Sequence, residues 1–506
     1  MLESLNLNIN TGVLATSLLG LFVTYSLKKW YNMCHYFDKF NLKSPTPWPF
    51  FGNFFSIIKR GMPYNDKYMI DNYGKTMGYY EGSLPVVLTA DPKLLKLMLI
   101  KDFHHFSNRN VFEAFQFDPL DKILSFLKDE EWKNVRSILS TVFSSGKLKS
   151  MSKLMIECSN RLKENLTELE EKDEYFDARK IFGYLSLDVM CSCCFGFTVD
   201  SMKDPDNEVL KHVKRLFLDS IDKDPRVILI VLFPKFADFL RKRNLFSLIP
   251  KESTDYLKFL TAEIIERRKK RLEKRDDFIQ IMVEHEERIN NEESIQQQSS
   301  GEKWDSKSGH LKKTLTSEEI FSQAFLFLFA GYETSSIALN LISYNLATNP
   351  ECQDLLCEEI DKLIEKYGEV NYEMVHEMNY MNMVIDETLR MYPPAIRFDR
   401  VADDDYEYEG IKIKKGALVI VPIWALHYDK EIYPDPEKFI PERFNEENKK
   451  LRENCTYLPF GAGPRNCIGM RFALLEIKFT LATILSKFKF VKCDKTPVST
   501  FISIFE

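Results

Sequence analysis

The segment Phe460-Gly461-Ala462-Gly463-Pro464-Arg465-Asn466-Cys467-Ile468-Gly469 limits what this chain can fold into more than any other. Three glycines and a proline exclude regular helix or strand and allow a tight turn with close backbone approach. A helical pattern starts directly after it, from Met470 to Ser486. The single cysteine therefore sits where free backbone N–H groups and a helix N-terminus favour a thiolate. The two readings are a metal-ligating thiolate and a buried structural thiol in a glycine-rich turn. Structural zinc is disfavoured, because no Cys-x-x-Cys pair stands beside a matching histidine pair. Ten cysteines in 506 residues are too few for a disulfide scaffold. Cys191, Cys193 and Cys194 lie in an apolar helical stretch and read as packed thiols.

Three other stretches carry chemistry-bearing residues. Glu387 and Arg390 in Glu387-Thr388-Leu389-Arg390 share a helix face at i and i+3, as Trp132 and Arg136 do at i and i+4. Thr316-Ser317-Glu318-Glu319 resembles a capping box, opening a helix that runs to about Asn349. This helix is apolar all round near its middle, so it is expected to be buried. Ala330-Gly331-Tyr332-Glu333-Thr334 lies there, with Gly331 expected to give a kink or groove and Glu333 and Thr334 an acid–alcohol pair able to move protons.

Residues 460–469 match Phe-x-x-Gly-x-Arg-x-Cys-x-Gly, and the chain is thereby identified as resembling the cytochrome P450 family. Glu387 and Arg390, then Pro441-Glu442-Arg443-Phe444, follow the family's order before Cys467. The resemblance implies a heme-thiolate fold, mainly α with a small β portion, as one catalytic domain. It implies Cys467 as axial ligand to the iron of heme b. Arg465, Trp132, Arg136, Arg400 and Phe460 would hold the cofactor, Arg465 by pairing a propionate. Glu387, Arg390 and Arg443 would form a buried structural ion triad, costly unless fully paired. Glu333 and Thr334 would serve the activation of O2. That acid–alcohol pair favours monooxygenation over peroxide rearrangement, and a heme-thiolate protein with little turnover stands as the second reading. No nicotinamide or flavin fingerprint is visible, so NADPH-derived electrons would come from a separate NADPH–cytochrome P450 reductase, with cytochrome b5 as a further partner. Lys128, Lys133, Lys147, Lys149 and Lys478 are candidates for its basic docking face.

The run from Glu130 to Lys149 resembles the animal microsomal xenobiotic- and steroid-oxidising group, the family-three clan. This implies a lipophilic small-molecule substrate, whether xenobiotic, steroid or fatty-acid-like. Phe112, Phe115, Phe117, Phe329, Ala330, Ala395 and Ile396 are the expected pocket lining. Family members usually end in a β hairpin that reaches the pocket. Only 39 residues follow Cys467 here, so the C-terminus is expected to be shortened and the pocket differently closed.

The N-terminus sets the expected location. Leu5 to Leu27 carries no charged residue, and Lys28 and Lys29 follow it. That pattern predicts a signal anchor over residues 1–30, crossing the endoplasmic reticulum membrane once with the body on the cytosolic side. Residues 31–53 read as a stiff proline-rich hinge, with Pro45, Pro47 and Pro49 at alternate positions. Residues 54–506 form the catalytic domain, in which the polar stretch 288–313 reads as a flexible loop. The run from Val227 to Pro234 is too short to span a bilayer and reads as core or as a second membrane-dipping patch. A net charge of −6 provides no net basic field for nucleic acid.

Overall fold

A computed structural model describes residues 11–111, 117–172, 175–218, 225–243, 245, 249–300 and 314–497. Among these residues the α-helices are α1 (Thr11–Cys34), α2 (Phe54–Arg60), α3 (Met62–Tyr73), α4 (Pro92–Lys96), α5 (Asp129–Ser140), α6 (Ser145–Glu171), α7 (Ala178–Met190), α8 (Glu208–Leu218) and α9 (Pro225–Leu232). They continue with α10 (Pro234–Lys242), α11 (Lys251–Lys269), α12 (Phe278–Ser300), α13 (Ser317–Thr348), α14 (Pro350–Tyr367), α15 (Asn379–Met391), α16 (Ile423–His427), α17 (Glu446–Leu451) and α18 (Met470–Leu485).

The β portion is small. Strands β1 (Thr76–Glu81), β2 (Leu84–Thr89), β3 (Phe398–Val401) and β6 (Leu418–Val421) form one sheet in the order β1-β2-β6-β3. β4 (Tyr406–Tyr408) and β5 (Ile411–Ile413) pair separately. The β1–β2 hairpin turns at Gly82, whose φ of 58° suits a residue without Cβ. β2 pairs parallel with β6, and β3 antiparallel with it, setting Arg400 opposite Val419. This pairing brings residues 84–89 and 398–421 together and holds Arg400 on a rigid edge strand.

The largest core joins α5, α6, α7, α13, α15 and α18. α13 starts where its sequence says it should: Thr316 Oγ1 accepts from Glu319 N at 3.2 Å while Glu319 Oε2 accepts from Thr316 N at 2.8 Å. The helix is long and apolar enough to cross a membrane, yet it is packed inside the body against α7, α15 and α18. Glycines allow that contact. A Cβ on Gly331 would lie 2.6 Å from Met190 Sδ, and one on Gly183 would lie 3.4 Å from the Tyr332 hydroxyl. α13 is continuous from Ser317 to Thr348, and at Gly331 it both meets Met190 of α7 and borders the cavity beside the cysteine loop.

Two other expectations are revised, the boundary at residue 30 and the loop from 288. The first helix continues through Lys28 and Lys29 to Cys34, so the boundary at residue 30 falls inside it. The proline segment is tied to that helix: Trp30 Nε1 donates to the Pro47 carbonyl at 2.8 Å. The polar stretch from 288 is helical up to Ser300, because Glu and Gln without Gly or Pro sustain the register of α12; residues 301–313 lie outside the described residues. In the 227–234 run, Ile230 and Leu232 are buried against the body while Phe233 is exposed. By contrast α1 stands apart: Leu14, Leu18, Leu19, Leu21, Phe22, Val23 and Leu27 are each 47–67% exposed.

Candidate heme-thiolate site

A cavity of about 390 Å³ lies between α13 and the cysteine loop. The Cys467 side chain opens into it, enclosed by protein on its other sides. Cys467 N donates to the Phe460 carbonyl at 2.8 Å, which folds the loop back on itself. Gly461 and Gly463 have φ of 70° and 71°. A Cβ on Gly463 would lie 1.7 Å from the Leu99 carbonyl oxygen, so this glycine seats the loop on residues 99–100. Burial pushes the Cys467 thiol up, while the N–H groups of Gly469 and Met470 and the guanidiniums of Arg136 and Arg109 pull it down. An iron above the sulfur would add the charge that completes its deprotonation.

Four arginines line the same cavity: Arg109, Arg136, Arg400 and Arg465. Arg136 is spent on the loop itself, donating from Nη1 to the Asn466 carbonyl and from Nη2 to Asn466 Oδ1, both at 2.9 Å. Arg465 donates to the Leu127 carbonyl at 2.8 Å and lies 4.3 Å over the Trp132 ring. Arg400 and Arg465 are nearly fully buried, and burial together with Arg109 drives both guanidiniums down to about 9. Nε of Arg109, Arg400 and Arg465 is buried without a hydrogen-bond partner. Such a cluster is unfavourable by itself and calls for an anion with more than one carboxylate. The two propionates of a heme satisfy that demand, and the thiol beside them supplies an iron ligand, so the residues present fit the group.

The opposite wall is α13. Ala330, Gly331, Thr334, Ser335 and Ala338 face the cavity. Thr334 Oγ1 donates to the Ala330 carbonyl at 2.6 Å. Glu333 is exposed and lies off the cavity lining, about 100° round the helix from Thr334. Among the expected pocket residues Ala330 and Ala395 line the cavity, and Phe117, Phe329 and Ile396 do not. Leu326 and Phe327 line it instead, and Phe327 packs edge-on to Phe143 and Phe278 at 5.4 and 5.1 Å. Ile396 gives its carbonyl to Trp424 N. Phe112 and Phe115 lie outside the described residues. Arg109 was not among the expected residues: it is a lone arginine in an irregular segment, with no periodicity to mark it.

Behind the loop, Arg390 clasps Glu387 with two hydrogen bonds, Nε to Oε2 at 2.7 Å and Nη2 to Oε1 at 2.9 Å. Arg443 Nε stands 3.3 Å from Glu387 Oε1. Ile440 N also donates to Glu387, and Arg390 reaches the carbonyls of His427 and Pro436. Both charges are fully buried, and this number of partners is what makes burial tolerable. Of the candidate docking lysines, Lys478 is only 8% exposed and donates to the Val375 carbonyl, so it cannot serve a docking face. Lys133 and Lys149 are exposed and Lys147 is half-buried, and they pair with Glu130, Glu373 and Glu284 respectively.

The family model described as Cytochrome P450 matches residues 42–503. The chain belongs to the cytochrome P450 family. It is 37% identical over 501 residues to Cytochrome P450 3A25 of Mus musculus, covering 98% of this chain and 94% of that relative. It is 38% identical over 485 residues to Cytochrome P450 3A56 of Fundulus heteroclitus, covering 95% and 93%. Lithocholate 6-beta-hydroxylase of Mesocricetus auratus is 36% identical over 499 residues, covering 97% and 93%. This P450 is accordingly a heme-dependent monooxygenase with the mainly helical fold of its family.

Proposed function

We propose that this P450 inserts one atom of O2 into a lipophilic small molecule, with electrons passed from NADPH by a separate reductase. The observation that carries the reading is the opposition of Cys467 and Thr334 across an apolar cavity walled by Arg109, Arg400 and Arg465. The heme, when bound, supplies an iron that activates O2. The protein's residues do the rest. Cys467 Sγ would hold the iron, and the three arginines would hold the propionates. Trp132 supports Arg465, Phe460 closes the loop through its carbonyl, and Arg136 holds the loop through Asn466. Glu387, Arg390 and Arg443 keep the loop's support rigid. Thr334 presents a hydroxyl at the reacting face, and Glu333 passes protons towards it from solvent.

Apolar side chains such as Leu326, Phe327 and Phe143 on the cavity wall favour a lipophilic substrate and exclude bulk water. A relative named for lithocholate hydroxylation makes rigid sterol-like molecules the first class to test. The exposed apolar helix α1 supports an anchor crossing the endoplasmic reticulum membrane once, with the body on the cytosolic side beside the reductase and cytochrome b5.

The test is reduction under carbon monoxide, then turnover with reductase, NADPH and a panel of sterol-like and other lipophilic probes. A thiolate-type carbon monoxide band and NADPH-dependent hydroxylation are expected, both lost in Cys467→Ser. An unchanged band in that variant would sink the ligand assignment; a band without oxidation of any probe would reduce the protein to a heme binder. Removal of residues 1–34 should weaken membrane association, and undiminished binding would refute the anchor.

A further inference from the structure

α18 begins three residues after Cys467, and its otherwise apolar buried surface carries one polar stripe. Glu476, Thr480 and Thr483 recur at i, i+4 and i+7, so they form one stripe. All three are at most 2% exposed. Hydroxyls from three other helices meet the stripe. Ser186 of α7 donates to Glu476 Oε1 at 2.8 Å. Ser159 of α6 lies 3.4 Å from Thr480 Oγ1. Ser335 of α13 acts on the Glu476 carboxyl from the remaining side, and Ser335 also lines the cavity, next to Thr334. At the far end Ser486 donates to the Thr483 carbonyl at 2.8 Å and accepts from Lys163 Nζ at 3.1 Å, where the stripe approaches the surface.

Three atoms on this line, Glu476 Oε2, Ser335 Oγ and Thr483 Oγ1, are buried and have no protein partner in good hydrogen-bond geometry. Buried polar atoms of this kind are the usual seats of internal water, and here they are spaced along one route. Glu476 also has no cation among the groups that act on it. The titratable groups facing it are the Cys158, Cys193 and Cys194 thiols, which burial keeps protonated. Burial lifts the Glu476 carboxyl to about 7, against the weaker pull of Ser186 and Ser335. The Glu476 carboxyl thus faces a hydroxyl that itself lines the cavity.

We propose that the inner stripe of α18 is a second proton route, in which solvent protons entering near Ser486 pass Thr483 and Thr480, are held on Glu476, and reach the cavity through Ser335. Glu476 gives its carboxyl proton to the Ser335 oxygen as Ser335 gives its hydroxyl proton to an acceptor in the cavity. The carboxylate left behind takes a proton from the stripe. One proton moves and no electron is transferred. The route approaches the cavity from inside the core, whereas Glu333 approaches from solvent. It rests on the monooxygenase reading for its purpose, though not for its chemistry.

The test uses the full-length, heme-loaded protein with Glu476→Gln, Thr483→Val and Ser335→Ala. Parent-minus-Glu476→Gln infrared spectra in H2O and D2O near neutral pH should show a buried protonated carboxyl band, the Asp188 contribution cancelling between the two proteins. With an unchanged thiolate-type carbon monoxide band, Glu476→Gln should lower product formed per NADPH by about tenfold and raise the solvent isotope effect. That is less than the ~10²–10⁴-fold of a sole proton donor, because Glu333 still operates. The two hydroxyl variants should shift the isotope effect in the same direction. Absence of that parent-minus-variant band overturns the proton-holding role. Unchanged coupling and isotope effect in all three variants overturn the route. If the unaltered protein oxidises no probe, the monooxygenase reading fails, and the infrared band still decides whether Glu476 holds the proton.

Discussion

The backbone N–H of Leu458 donates to Nε2 of His427 at 2.9 Å, which leaves the ring proton on Nδ1, 3.1 Å from the Arg390 carbonyl. His427 thus straps the helix of the ion triad to the segment that leads into the cysteine loop. The ring is fully buried and stacks on Tyr457 at 5.4 Å. Burial and the Arg390 charge push it down to about 3, so it stays neutral. Replacement by leucine would strand the Leu458 N–H and the Arg390 carbonyl. His427→Leu is expected to lose about 2–5 kcal/mol in urea unfolding and to bind less heme. An unchanged midpoint and heme content would show that the strap carries no load.

The same histidine gives a sign to acid sensitivity. Its pKa is lower folded than unfolded, so the unfolded chain gains a proton first as pH falls from about 6.5 towards 3. Stability is therefore lost over that window, at up to about 1.4 kcal/mol per pH unit. Unfolding titrations of the parent and His427→Gln should diverge in slope there; parallel curves would refute the assignment.

Asp188 works in the opposite sense. It accepts from Ser201 N at 3.2 Å, and burial lifts it to about 7. Its contribution is fully present below pH ~4 and is lost as pH rises through about 7. Asp188→Asn should flatten the fall in stability between pH 4 and 7, read from thermal unfolding across that range. A parent curve with no such fall would exclude the shift.

Arg109 and Arg400 repel one another in the absence of an anion. Arg109→Leu is expected to raise the melting temperature of the heme-free chain by about one degree, equivalent to about 1 kcal/mol, and to weaken heme retention at least tenfold. Calorimetry on both forms checks this. A shift of the same sign in each would mean that the cluster does not bind the cofactor's carboxylates.

Gly331→Ala places a Cβ against Met190, the flexible end of a side chain on α7. It should cost about 1–2 kcal/mol, and Met190→Ala in the same chain should recover part of that loss. Additive losses in the double-mutant cycle would show that the contact does not set the spacing of α7 and α13.

Local features of this protein are legible in its sequence because the forces behind them act within a few residues. The Thr316–Glu319 capping box, the start of α18 after Gly469, and the shared face of Glu387 and Arg390 need only local hydrogen bonds and helix phase. The residues around Cys467 identify the family for a related reason, since a tight loop admits few substitutions at its glycines. The tertiary structure decided what distant segments do to one another. Arg109 and Arg465 meet across 356 positions. Contacts with distant segments set Phe327 against Phe143 and Phe278, Gly331 against Met190, and Lys478 against the Val375 carbonyl. Electrostatic clustering and helix rotation depend on contacts that no local pattern encodes. The sequence therefore determined that a thiol loop stands ready for a heme, and packing decided which side chains surround it.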